Sequence, residues 1–86
     1  MEHFIKNVFD ALGLGFGRIF NSTKALLSDF EKVLGSKYDV KLEEDEKTTY
    51  TFIFIDKENT ETTFLYTIFY KENGNGSYVI TDNKIS

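Results

Sequence analysis

The apolar residues of the first third of the chain recur with the period of an α-helix. From Phe4 to Leu34 they return every three or four positions and so form one stripe along a helix surface. Gly35 and Ser36 follow this stripe and are typical of a helix C-terminus. The spacing therefore predicts helical structure over residues 1–36.

Three glycines interrupt the helical pattern at positions 13, 15 and 17. A glycine inside a helix costs about 1 kcal/mol relative to alanine, which favours a break or kink here. Asn21 or Ser22 offers a side-chain oxygen that would cap a second helix. We expect two helical segments that meet at the glycines. One helix of about 30 residues is the alternative, because the apolar stripe keeps its phase.

From Tyr38 onward the period of the apolar pattern changes to two, which is typical of strands. The turn sequence Asn73-Gly74-Asn75-Gly76 predicts a hairpin, because Asn and Gly accept positive φ. The predicted strands cover residues 38–43, 48–56, 62–71 and 77–82. Because the connections are short, the pattern predicts an α+β fold in which the N-terminal helical segment packs on a four-stranded antiparallel meander. We expect one domain over residues 1–86, helical over 1–36 and an antiparallel sheet over 37–86.

The two central predicted strands carry apolar side chains on both faces. An antiparallel sheet with one solvated face should carry polar residues on that face. Alternation places Phe52 and Phe54 on one face, whereas the other face has four apolar residues: Ile53, Ile55, Leu65 and Phe69. Three interpretations follow: the helical segments cover both faces, a ligand pocket lies between helices and sheet, or the second face binds a protein.

The densest acidic run of the chain consists of Glu43, Glu44, Asp45 and Glu46. It lacks the alternating ligand positions and central glycine of a calcium loop. The simplest interpretation is a solvated hairpin tip, whose charges also discourage edge-to-edge pairing of strands. A more specific interpretation is an acidic surface for a basic protein, which would make the chain a mimic of nucleic acid.

The composition excludes several kinds of chemistry. The 86 residues include no cysteine and a single histidine, His3. A disulfide framework, a thiolate nucleophile and a two-histidine metal site therefore cannot form within one chain. The glycines at 13, 15 and 17 lack the preceding strand and the following Lys-Ser or Lys-Thr of a phosphate loop. We expect no enzymatic activity, no cofactor and no metal.

The charge distribution bears on partners and location. The formal net charge is -4, and it resides entirely in residues 37–86. An acidic surface repels phosphates and anionic lipids, so we expect neither nucleic acid nor a membrane as a partner. Glu2 precedes Lys6, and Asp10 interrupts the apolar residues, which is unlike an export signal. We therefore expect a cytoplasmic protein.

These features together indicate a non-enzymatic protein-binding module. We expect the second sheet face to supply apolar anchors and the acidic run to steer the encounter with a protein partner. A small accessory or inhibitory protein, of the kind carried by phages and plasmids, fits such a short chain, and a homodimer is another form of contact. The alternatives are the nucleic-acid mimic and a small-molecule or lipid carrier. The carrier would have a cavity between helix and sheet lined by phenylalanines: Phe4, Phe9, Phe16, Phe20 and Phe30.

Overall fold

The computed structural model describes the backbone of residues 2–86 and the side chains of residues 6–86. The elements in chain order are α1 (Glu2–Ala11), β1 (Ile19–Phe20), α2 (Thr23–Leu34), β2 (Tyr38–Asp45), β3 (Thr49–Asp56), β4 (Thr63–Gly74) and β5 (Ser77–Ile85). The strands form one antiparallel sheet in the order β1-β5-β4-β3-β2. The α+β class and the antiparallel sheet are confirmed, but the sheet has five strands rather than four. The predictions for the side chains of His3 and Phe4 lie outside the described residues.

The helical pattern breaks at the glycines, as expected. α1 ends at Ala11, and residues 12–18, here called the glycine segment, form consecutive turns. Gly13 and Gly17 have φ of +73° and +85°, a region that glycine enters without steric cost. The prediction of two helical segments is therefore confirmed and the single long helix is wrong. The segments do not meet at the glycines, because β1 also lies between α1 and α2.

β1 is the strand that the sequence pattern did not reveal. Its residues Ile19 and Phe20 lie opposite Val79 and Tyr78 of β5. Phe20 is buried, as the helical stripe predicted, but its backbone is extended. A strand of two residues is too short to show a period of two, so its apolar residues were indistinguishable from a continuing helical stripe.

α2 begins and ends at residues that the sequence offered as caps. The Ser22 hydroxyl accepts a hydrogen bond from the Ala25 N–H at 3.1 Å, which satisfies one free donor of the first turn. At the other end the Gly35 N–H donates to the Glu31 carbonyl at 2.8 Å. Local sequence signals therefore set both ends of this helix.

The core lies between the two helices and one face of the sheet. Phe9 of α1 stacks on Tyr66 of β4 with ring centroids 4.0 Å apart. Phe30 of α2 meets Phe52 of β3 edge-on at 5.1 Å, and Phe9 and Phe30 contact one another at 5.7 Å. The fully buried residues of the sheet on this face are Phe52, Phe54, Tyr66, Ile68 and Ile80. Interlocked aromatic rings of this kind hold the helices against the sheet.

The β4–β5 hairpin turns where the sequence predicted. Asn75 and Gly76 have φ of +53° and +76°, and positive φ at both central residues is the mark of a type I′ turn. Both strands are longer than predicted, because β4 reaches Gly74 and β5 reaches Ile85. Their ends are rich in polar residues, which pair through the backbone and show little apolar alternation.

Candidate protein-binding surface

The sheet has a second face, opposite the one that carries the core. Residues directly opposite one another on antiparallel strands share a face, and Ile53 lies opposite Leu65. The described aromatic contacts of Phe9 and Phe30 with the sheet all go to the other face. We call this second face the open face, and its central residues are Thr51, Ile53, Ile55, Leu65, Thr67 and Phe69.

The structure places all four predicted apolar residues on the open face. Ile53, Ile55, Leu65 and Phe69 are each half-buried, and none of them belongs to the buried core cluster. Ile55 follows Ile53 along β3 on the same face, and Leu65 lies beside Ile53 across the strand pair. Directly opposed side chains in this arrangement have Cβ atoms about 5 Å apart, so Ile53, Ile55 and Leu65 form one apolar patch. Phe69 lies on the same face beyond the Thr51–Thr67 pair, opposite Thr49.

A pair of threonines occupies the centre of the open face. Thr51 and Thr67 lie opposite one another, and their hydroxyl oxygens are 3.0 Å apart in a hydrogen bond. They are only 8% and 7% exposed. One hydroxyl donates to the other, so the pair uses one of its two O–H donors internally. We did not single out these threonines from the sequence, although matching positions on adjacent strands were the available signal.

Charged residues surround the apolar patch. On the β2 side Lys41 lies opposite Ile53, and Asp39 lies opposite Ile55. On the β5 side Asp82 lies opposite Phe69. An apolar centre with a polar, charged rim is the usual anatomy of a protein interface.

One row of the open face crosses four strands. Glu44 of β2 lies opposite Thr51, Thr51 lies opposite Thr67, and Thr67 lies opposite Lys84 of β5. The row therefore begins with a negative charge and ends with a positive one. Both terminal side chains are exposed.

The acidic run of residues 43–46 does not form one surface. Glu43, Glu44 and Asp45 belong to β2, and only Glu46 lies in the turn, where its N–H donates to the Thr49 carbonyl at 2.9 Å. A register shift between Leu42 and Glu44 separates the charges further. Glu44 faces the open side, whereas Asp45 lies opposite Tyr50 on the other face. The solvated-tip interpretation fits Glu46, and the run is otherwise split between two faces.

Aromatic rings fill the space between the helices and the sheet. Phe9, Phe20 and Phe30, three of the residues proposed to line a ligand cavity, are at most 5% exposed. Phe20 packs against tyrosine rings of β3, β4 and β5 at 5.6–6.3 Å. A groove of about 450 Å³ lies instead on the surface where α2 passes into β2, lined by residues that include Glu31, Tyr38 and Lys57. The described layers therefore offer no support for the carrier.

Phe16 is placed differently from the sequence expectation. We expected it on the buried stripe and in the carrier cavity, but it is 71% exposed on the glycine segment. It stands between Gly15 and Gly17, in the turns that follow the end of α1. Flanking glycines were the signal that the helical phase had ended at this point.

Within the described part of the chain, no three His, Asp or Glu side chains are grouped so that they could hold a metal ion. In that same part no helix has the length and apolarity to cross a membrane. Neither protein-family models nor curated proteins nor solved structures gave a match to this chain. Among the described residues, those of the open face are therefore the candidate functional site.

Proposed function

We propose that the chain is a non-enzymatic protein-binding module, a small accessory or inhibitory protein that acts on a larger protein. Its open face is the contact surface. The observation that carries this proposal is the set of apolar residues on the open face, Ile53, Ile55, Leu65 and Phe69, which are half-buried and lie outside the core cluster. Apolar residues grouped on an accessible face with a charged rim support a role in protein contacts.

The physical basis of the binding is the removal of this patch from water. Each square ångström of apolar surface that becomes buried contributes about 25 cal/mol, and a few central residues supply most of the energy of an interface. Ile53 and Leu65 lie at the centre of the patch and are the expected anchors. Glu44 and the other rim charges steer the encounter and set the orientation of the partner.

Substitution of one anchor by a charged residue tests the proposal. In Ile53→Lys a charge occupies the centre of the patch, whereas Val33→Lys places the same charge on α2, where Val33 is 45% exposed. Tagged wild type and both variants serve as bait in extracts of the source cells, with quantitative mass spectrometry of the captured proteins. We expect one protein to be retained by the wild type and Val33→Lys and lost by Ile53→Lys.

Circular dichroism and thermal unfolding of the three purified proteins provide the folding control. Ile53 is half-buried and lies outside the core cluster, so we expect Ile53→Lys to keep the native spectrum. If a folded Ile53→Lys variant captures the same protein as the wild type, the open face is not the contact surface. If Ile53→Lys is unfolded, Ile55→Lys and Leu65→Lys make the same test at neighbouring positions.

A further inference from the structure

We infer that the open face also binds a second copy of this chain, in a two-fold dimer whose axis runs parallel to the strands over the Thr51–Thr67 pair. This inference rests on the proposed function, since it takes the open face to be a protein-binding surface. Self-association then competes with the larger partner for the same residues.

The charge row across the sheet is self-complementary about this axis. Glu44 stands at the β2 end of the row and Lys84 at the β5 end, with Thr51 and Thr67 between them. A half-turn about an axis parallel to the strands exchanges the two ends of the row. It therefore places Glu44 of each copy over Lys84 of the other, and the dimer contains this pair twice.

The same row argues against the other two-fold arrangement of stacked sheets. An in-plane axis perpendicular to the strands leaves each strand over its own copy. Glu44 would then face Glu44, and Lys84 would face Lys84. Like charges directly opposed are destabilising, so the charges of this row favour the strand-parallel axis over a perpendicular axis at the same position.

The apolar residues fit the same axis. The row next to the threonines contains Ile53 and Leu65 as direct neighbours, and the half-turn places each over the other in the second copy. Stacked sheets lie about 10 Å apart with their strands within about 30° of one another, which is the separation that interdigitated Ile and Leu side chains fill. Thr51 and Thr67 on the axis are hydrogen-bonded to one another, so each hydroxyl oxygen keeps one hydrogen bond when the face is covered.

The available area predicts a weak dimer. Four strands at about 4.8 Å spacing and about seven residues at 3.4 Å rise span roughly 450 Å² on each copy. Two such faces bury roughly 900 Å², which is below the usual range for stable complexes and within that of weak, transient ones. The dimer is therefore expected to form at high concentration and to yield to a partner that covers more surface.

Charge reversal at the two ends of the row tests the inference. Sedimentation equilibrium over a range of concentrations measures the dimer constant of the wild type, Glu44→Lys, Lys84→Glu and their equimolar mixture. Both altered side chains are exposed, so each variant is expected to fold. In a dimer of Glu44→Lys, the introduced lysine faces Lys84 of the other copy at both ends of the row. In a dimer of Lys84→Glu, the introduced glutamate faces Glu44 at both ends. We expect each to weaken the dimer at least roughly fivefold at low salt.

The equimolar mixture distinguishes pairing between the copies from an effect of each substitution on folding. If the substitutions only disturbed the fold, mixing the two variants would not restore the dimer. A mixed dimer pairs Lys at position 44 of one copy with Glu at position 84 of the other, and the remaining pair is the native Glu44 and Lys84. We expect the mixture to dimerise about as strongly as the wild type, and the recovery to fade with added salt. Recovery in the mixture supports both the surface and the axis.

Other outcomes overturn the inference and leave the proposed function separately testable. A wild type that stays monomeric up to millimolar concentration excludes the dimer. A wild-type dimer that persists in Ile53→Lys and in both charge variants uses another surface. In either case the capture experiment with Ile53→Lys still decides whether the open face binds a larger protein, so the two failures are distinguishable.

Discussion

The Asn83 side chain of β5 donates a hydrogen bond to the Asp10 carboxylate of α1 at 3.0 Å, across 73 positions of the chain. The same Asn83 amide donates to the Tyr66 hydroxyl at 2.9 Å, and Tyr66 donates to the Leu14 carbonyl at 3.2 Å. Asp10 also accepts the Phe16 N–H at 3.3 Å. This polar network fastens the glycine segment to the sheet, because every group in it has a partner within the fold.

Gly15 should be intolerant of a side chain because the Asp10–Asn83 contact occupies the space beside it. A Cβ at Gly15 would collide with the Asp10 carboxylate and come within 2.8 Å of the Asn83 amide. We expect Gly15→Ala to lower the free energy of unfolding by about 1–3 kcal/mol, the cost of losing buried hydrogen bonds, as measured by urea denaturation. The same change in an Asp10→Ala background should cost less. Equal costs in both backgrounds would contradict this explanation.

Tyr66 should make stability sensitive to alkaline pH. Burial raises the pKa of the Tyr66 hydroxyl well above its ordinary value, so the folded state favours the neutral form. The stability that this preference contributes is fully present below about pH 10, the ordinary pKa of tyrosine, and is lost as the pH rises further. We expect the free energy of unfolding to fall more steeply above that pH in the wild type than in Tyr66→Phe. If the free energy of unfolding, measured by urea denaturation, falls equally with pH in the wild type and in Tyr66→Phe, Tyr66 is not the cause.

The Ser22 cap should contribute measurably to α2. Ser22→Ala removes the oxygen that accepts the Ala25 N–H, and loss of such a cap costs about 1 kcal/mol. Ser28→Ala is the matched control, because Ser28 is exposed inside the same helix and alanine is the better helix former. We expect thermal unfolding to show a lower midpoint for Ser22→Ala and an unchanged or slightly higher one for Ser28→Ala. Equal effects would show that the cap is not the source of the loss.

Phe16 and Phe20 should differ sharply in their contribution to folding. Phe16 is 71% exposed, whereas Phe20 is 5% exposed and packs against Tyr78. We expect Phe20→Ala to lower the free energy of unfolding by about 3–5 kcal/mol, the usual cost of removing a buried aromatic ring. Phe16→Ala should change it by less than about 0.5 kcal/mol, as at other surface positions. A large loss in Phe16→Ala would show that this ring is packed in solution.

Several features of the fold followed from local sequence signals. The alternation in β3 and β4 predicts which side chains share a face, and the pairing of Ile53 with Leu65 confirms that they lie on the same one. The turn at Asn75 and Gly76 was equally local, because it depends on two residues that accept positive φ. Such signals report the backbone conformation of a few neighbouring residues, and they succeed where that conformation is set locally.

Other features depended on contacts between distant segments. The apolar stripe suggested that helical phase continued through Phe16, Ile19 and Phe20, but only Phe20 is buried and it lies on a strand. The spacing of apolar residues indicates which residues are buried, but it does not determine the backbone conformation between them. β1 forms because its backbone pairs with the edge of β5, which lies about 60 positions further along the chain.

Apolar alternation and short connections were enough to predict a sheet that is apolar on both faces and whose neighbouring strands are antiparallel. The face that the helices cover depends instead on contacts between distant residues. Phe9 and Phe30 select the face that carries Phe52, Phe54 and Tyr66, where large rings interlock edge to face. The opposite face, with Thr51 and Thr67 at its centre, offers smaller side chains to pack against. Packing between distant residues therefore determines which face the helices cover, and the periodicity along a single strand does not predict it.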